Sequence, residues 1–470
     1  MASTNCWRCL ARPSQRLLLA PVSVSVSVSV AVASAPTSAA FSTSAQQLAR
    51  APTESSRHIR LGRRLVLGKK KRNPDKTKPP LPGERKAFRK RIQLRNDNAL
   101  EVRGLDELSP ESAVNPESVG KMVGIPTEVV DQLRACEAFK SSQNWSLFWS
   151  PHTLVRKETV DLAKQMTDAI EKKETLRLVV TGSRGSGKSI LGLQALATGF
   201  LNKWVVINIP EGQELTTAAT EYATIPNSEM FSQPVYTVQL MQAIHQTNHQ
   251  VLSRYKVQLD HMHLPISVTR NMTLAGLLNA TKEPDFAWPV FQAFWKELLL
   301  PGRPPILFSL DGLAHIMRVS AYRSPAFELI HSHDLSLVRM FSDALGGKTT
   351  FSNGAVVLGV TAKGNAPVIP SMEMAIAQAA AVHKGEEPPS RDPFFRKYDE
   401  RVFDALRGVK VLDVRGVSKT EARALMEYWA ASGILRSRID ERSVSEKWTM
   451  AGNGVVAEME RVVLQDLRDA

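Results

Sequence analysis

The sequence predicts an α/β protein, a parallel sheet with flanking helices, followed by a small helical or winged-helix-like C-terminal domain. Three observations carry that expectation. Short apolar runs at 176–181, 204–209, 306–311 and 355–361 are separated by segments long enough for crossover helices. The first run leads straight into a glycine-rich turn, Gly182-Ser-Arg-Gly-Ser-Gly-Lys188-Ser189, and then into the helical stretch Ile190-Leu191-Gly192-Leu193-Gln194-Ala195-Leu196. The third, Ile306-Leu-Phe-Ser-Leu-Asp311, follows a proline-rich turn and ends in an acid.

At 470 residues the chain exceeds what one hydrophobic core usually serves, and 43% of it is hydrophobic, enough to fill a sizeable interior. No run approaches the ~20 apolar residues of a membrane-spanning helix, so no integral membrane segment is expected. Three cysteines, Cys6, Cys9 and Cys136, exclude a disulfide scaffold. Four segments are expected: an import sequence at 1–41, a basic and largely extended arm at 42–119, a nucleotide-binding domain at 120–390 and a small domain at 391–470.

The net charge of +14 is concentrated at one end. Residues 1–95 carry 20 Lys and Arg against three acids, whereas the remainder nearly balances, 40 against 43. The first 53 residues hold four arginines and no acid among abundant Ser, Ala and Val, the composition of an organellar transit peptide. Arg8, Arg12 and Arg16 fall on one helical face, which Pro13 shortens or bends. A secretory signal is the competing reading, but serines and prolines interrupt any compact apolar stretch, which favours mitochondrial import with processing near Phe41 and Ser42. Cys6-x-x-Cys9 has the spacing of half a zinc site and lacks a second pair. From Arg57 to Arg95, sixteen bases face two acids and prolines 74, 79, 80 and 82 keep the chain extended. Such an arm seeks a polyanion, RNA in preference to anionic lipid. With Phe88 as its one aromatic it would read phosphates rather than bases.

The turn after the first apolar run has the composition of a phosphate cradle. Gly182, Gly185 and Gly187 let the backbone aim its N–H groups at phosphate oxygens, Ser183, Arg184 and Ser186 lie between them, and Ile190 belongs to the first turn of the helix. Lys188 would reach the β- and γ-phosphates and Ser189 would ligate Mg²⁺, with Asp311 holding the ion through water. Thr361 stands where a γ-phosphate could be sensed. The motifs do not choose between ATP and GTP. Gly312 follows Asp311 where many P-loop ATPases carry a water-polarising glutamate, and the GTPase pattern Asn-Lys-x-Asp is absent, so hydrolysis is expected to be slow or absent. A bound nucleotide would then act as a folding ligand. Histidines 245, 249, 261 and 263 lack the glutamate of a His-Glu-x-x-His site and are taken as ordinary surface or interface residues.

Beyond the predicted sheet, an alanine-rich helix from Ala375 gives way to the loop Gly385-Glu-Glu-Pro-Pro389. Ser418-x-x-Glu421 is a capping box opening a helix through Leu425, Met426 and Trp429, with Gly433 as its stop, and a last helix is expected over 455–467.

In combination these residues resemble a known family. The basic presequence, the Gly-Ser-Arg-Gly-Ser-Gly-Lys-Ser loop, Val206-Ile-Asn-Ile-Pro-Glu211, Leu310-Asp-Gly312, Asp392-Pro-Phe394 and Glu427-Tyr-Trp-Ala-Ala-Ser-Gly-Ile-Leu435 are similar to the death-associated protein three family, the P-loop protein of the mitochondrial small ribosomal subunit. The resemblance spans roughly residues 120–470. It implies an AAA-like domain in the head of that subunit, contacting small-subunit rRNA, neighbouring small-subunit proteins and the large subunit. It also implies a guanine nucleotide, GTP or GDP, with ATP as the alternative. Ala451-Gly-Asn453-Gly454 is similar to the family's Asn-containing turn, with Gly454 where a proline is common. Two readings follow: a structural ribosomal protein locked by its nucleotide, or a mitochondrial P-loop ATPase or GTPase switch acting on or apart from the ribosome.

Overall fold

The computed structural model describes residues 92–466 apart from 270 and 365. The expected import sequence, with Cys6 and Cys9, and the arm up to residue 91 lie outside the described residues.

In chain order the strands are β1 (Met122–Gly124), β2 (His152–Leu154), β3 (Thr175–Gly182), β4 (Val205–Ile209), β5 (Ala223–Thr224), β6 (Phe231–Ser232), β7 (Ile306–Asp311), β8 (Val319–Arg323), β9 (Leu329–His331), β10 (Ala355–Val360) and β11 (Lys410–Val414). Five form the central sheet in the order β11-β3-β10-β7-β4, all neighbours parallel. The others form three small antiparallel pairs, β1 with β2, β5 with β6 and β8 with β9. Every residue of β4, β7 and β10 is buried, as expected of strands covered on both faces.

The longer helices are α1 (Thr127–Ala135), α2 (Lys157–Glu171), α3 (Lys188–Leu201), α4 (Pro234–Leu252), α5 (Pro284–Leu298), α6 (Ser336–Leu345), α7 (Pro370–Lys384), α8 (Lys419–Ala431), α9 (Glu441–Met450) and α10 (Val456–Asp466). They cover the sheet on both sides. Alternate residues of each strand therefore enter different cores: Val179, Phe308 and Val357 join one, with Phe341 edge-on to Phe308 at 5.0 Å, while Leu178, Leu307 and Val356 join the other. Residues before β1 also pack inward, with Leu94 and Leu108 buried in the second core.

The four expected strands are present to within about a residue, and β11 is an addition. It pairs with β3 at the sheet edge, so the chain after 390 contributes a strand to the main sheet instead of a wing beside its own helices. Helices α8, α9 and α10 share a third cluster through Met426, Trp429, Val444 and Met459, which also takes Leu154 of β2. The Ser418–Glu421 capping box forms as expected, and Gly433 adopts φ +77° one residue beyond the C-cap, Ser432.

Two buried polar clusters brace this frame. Glu297 on α5 is fully buried and accepts the backbone N–H groups of Gln258 (3.0 Å) and Leu259 (2.6 Å), faces His261 Nε2 at 3.2 Å and is paired with Arg303. His261 is thus a core residue holding a loop, not a surface one. His245 and His249 lie one turn apart on α4 with rings 5.1 Å apart, and no group of three or more candidate metal ligands occurs among the described residues.

The second cluster surrounds His333, 2% exposed, whose own N–H donates to His331 Nδ1 (3.1 Å). Burial above all, then the charges of His331, Arg339, Arg401 and Lys348, push its pKa from 6.5 down to about 3. The folded protein therefore keeps His333 neutral where the unfolded chain binds a proton. Stability is expected to fall as pH drops below about 6.5, by up to ~1.4 kcal/mol per pH unit from this group. Urea unfolding at a series of pH values should show a shallower slope for His333→Asn.

Candidate functional site

The glycine-rich turn closes the carboxyl end of β3, and its shape is imposed from several sides. Gly182, Gly185 and Gly187 take φ of +147°, +77° and +98°, conformations that L residues with a Cβ adopt at a cost. Space excludes a side chain as well: a Cβ on Gly182 would lie 2.3 Å from Val414 O of β11, and one on Gly185 would lie 2.8 Å from Ala457 Cβ of α10. Ser183 and Arg184 form the exposed tip. Ser186 is fully buried, with its Oγ donating to Ser183 O at 3.0 Å. Gly187 caps α3, and Ile190 in the helix's first turn packs on the second core.

Lys188 and Ser189 open α3. Lys188 is 6% exposed and its ammonium turns back on its own loop, donating to Gly182 O at 3.1 Å and to Ser183 O. Burial first, and then Lys363, lowers its pKa, while Asp311 and Asp413 act in the opposite direction. Asp311, at the end of β7, accepts the Ser189 hydroxyl on Oδ2 at 2.9 Å. The expected pair, separated by 122 residues, is thus brought together. Its donors are of the right kind for Mg²⁺, yet Asp311 Oδ2 is also ion-paired with the Lys140 ammonium, and Oδ1 is buried without a partner. The Lys140 ammonium thus shares the Asp311 oxygen with the Ser189 hydroxyl.

Thr361 lines the cleft beside the turn, but its hydroxyl is already spent. Its hydroxyl and its N–H both go to Val180 O, at 2.9 and 3.0 Å, so the residue fastens β10 to β3. Gly312 takes φ +82° and donates its N–H to Val360 O, closing the end of β7 against β10.

The family described as mitochondrial ribosomal death-associated protein 3 matches residues 153–462, a span that contains the whole glycine-rich turn, Asp311 and the start of α10. The chain belongs to this family. Among its relatives, the small ribosomal subunit protein mS29 of Neurospora crassa is 50% identical over 472 residues, covering 100% of both chains. The protein of the same name from Schizosaccharomyces pombe is 22% identical over 352 residues, 73% of this chain and 71% of that one.

In this family member the site depends on residues that the motifs did not reveal. Arg156, 8% exposed, donates through Nη1 to Ser186 O (2.8 Å) and through Nη2 to Arg415 O (2.8 Å), tying the turn to the exit of β11, while Glu158 lies 3.1 Å from Nη2. The start of α10 docks on the turn, Ala457 N–H donating to Gly185 O at 3.1 Å. The Asn-containing turn serves that docking: a Cβ on Gly454, at φ +87°, would lie 2.3 Å from Val417 O, and Trp448 Nε1 donates to that carbonyl at 2.7 Å. Asn453 itself is exposed. A cleft of about 600 Å³ adjoins the turn, lined by Thr181, Lys363, Met372, Ile376 and Asp413 among others. Arg156 carried only a signal of position, a base beside Lys157 at the N-terminus of a helix where charge usually runs the other way.

Proposed function

We propose that this chain is a structural component of the small subunit of the mitochondrial ribosome, in the mitochondrial matrix, and that its AAA-like P-loop domain holds a guanine nucleotide as a folding ligand. Ribosomal membership is supported by the family match and the two relatives named small ribosomal subunit protein. Nucleotide binding rests on one observation above others: three left-handed glycines hold the turn open at the N-terminus of a fourteen-residue helix, with a buried lysine inside it. That arrangement presents free N–H groups and the positive end of a helix dipole to an anion. Lys188 meanwhile donates hydrogen bonds to the loop's own carbonyls, contacts that a phosphate would replace.

Guanine rather than adenine comes from the family resemblance. Gly312, where a water-polarising glutamate would stand, argues for a ligand that stays bound rather than one that turns over. The basic arm supplies cations for small-subunit rRNA, and no helix among the described residues is long and apolar enough to cross a membrane.

Denaturing the purified full-length protein and separating the released small molecules should yield GTP or GDP near one per chain; ATP, or no nucleotide, would overturn the assignment. Lys188→Ala is expected to lose the nucleotide and, with it, about 2.7 kcal/mol of stability when the ligand stands at 100 times its Kd. Turnover in the parent protein, abolished by the same variant, would instead support a switch. Co-sedimentation with small-subunit rRNA through a high-salt gradient tests the ribosomal reading.

A further inference from the structure

Lys140 precedes the short turn 141–143 in the segment between α1 and β2, before the span that the family match covers. This segment is braced by one internal bond and by two that leave it. Lys140 N–H donates to Gln143 Oε1 at 2.8 Å, Asn208 at the end of β4 donates to Cys136 O at 3.0 Å, and Asn144 donates to Glu460 Oε1 on α10 at 2.7 Å. The ammonium consequently has a defined place, paired with Asp311 Oδ2, and the two side chains are 23% and 12% exposed. The same oxygen accepts the Ser189 hydroxyl. Mg²⁺ asks for near-octahedral oxygen ligands at about 2.0–2.1 Å and sheds its waters reluctantly. The Ser189 hydroxyl can donate to Asp311 and still offer its oxygen to a metal, but the Lys140 ammonium competes for the carboxylate that would hold the ion's waters.

We infer that Lys140 is the resident cation of this site, so that a nucleoside di- or triphosphate binds with little dependence on a divalent ion. The inference rests on the nucleotide reading above and deepens it. Lys188 on the turn's carbonyls and Lys140 on the Asp311 oxygen that accepts Ser189 then supply two fixed single charges to the phosphates where one mobile double charge would otherwise do so. Asp311 Oδ1, buried and without a partner, is the acceptor through which a metal could enter once the ammonium is removed.

Titration of the full-length protein with fluorescent N-methylanthraniloyl-GDP, in Mg²⁺ and in EDTA, tests this. The parent protein is expected to change affinity less than about fivefold between the two buffers, and Lys140→Met to acquire a dependence at least about fivefold larger, whereas Lys140→Arg keeps the parent behaviour. Paramagnetic resonance of Mn²⁺ added with GDP should find no protein-bound ion in the parent, a readout that stands even if Lys140→Met does not fold. A parent that loses about fivefold or more in EDTA, or binds Mn²⁺ with the nucleotide, overturns the inference while leaving nucleotide binding intact. So does a folded Lys140→Met that matches the parent. No binding in either buffer would overturn the nucleotide reading and this inference together.

Discussion

Glu297→Ala is expected to cost roughly 3–5 kcal/mol of unfolding free energy, the usual range for removing one member of a buried ion pair. The carboxylate is fully buried and serves four donors, the backbone N–H groups of Gln258 and Leu259, His261 and Arg303. Its loss would leave the Arg303 guanidinium, 5% exposed, inside the protein with only Glu297 O to bond, and would release the loop after α4. The double variant Glu297→Leu with Arg303→Met should recover much of the loss, because an apolar pair removes the uncompensated charge. Urea unfolding of both variants measures this. If Glu297→Ala unfolds at nearly the parent midpoint, the cluster does not brace α5 as described.

The second large effect belongs to the turn. Gly182→Ala puts a methyl 2.3 Å from Val414 O, a backbone atom that cannot swing aside, at a φ of +147°. Either β11 moves off β3 or the turn abandons its shape. The expected result is a loss of about 1–3 kcal/mol from strain and at least a tenfold (~1.4 kcal/mol) fall in nucleotide affinity. Gly192→Ala is the matched control. It lies inside α3, where a Cβ meets only Val360 Cγ2 at 3.4 Å, and alanine favours a helix interior by up to about 1 kcal/mol over glycine. N-methylanthraniloyl-GDP binding and urea unfolding of the two variants separate backbone strain from a general dislike of substitution. Parent-like affinity in Gly182→Ala would remove the turn from the binding site.

Much of this was legible in the sequence because burial on both faces leaves a plain mark. Strands β4, β7 and β10 are buried throughout and mostly apolar, with Asn208, Ser309 and Asp311 as the polar exceptions, and the glycine spacing of 182, 185 and 187 reports backbone conformations that other residues resist. Strand β11 was illegible for the converse reason. It lies at the sheet edge with Lys410 and Asp413 exposed, so its pattern is that of a loop. Thr361 shows a different limit: its place at the end of a strand was right, but a hydroxyl rotates, and the nearest acceptor was Val180 O. Lys140 could not be found from any local pattern, because its partner is 171 residues away. The capping box at Ser418 succeeded because both of its partners lie within four residues.

The docking of α10 on the glycine-rich turn has a consequence for how the molecule matures. The motif is complete by residue 189, yet the bonds that steady its surroundings join Arg156 to Arg415, 259 residues apart, and Asn144 to Glu460, 316 residues apart. A chain enters an organelle unfolded and emerges N-terminus first, so the motif arrives long before the residues that seat it. A product cut short ahead of α10 would carry the signature without the seat, and occupancy by nucleotide would count only molecules that had been delivered to their last helix.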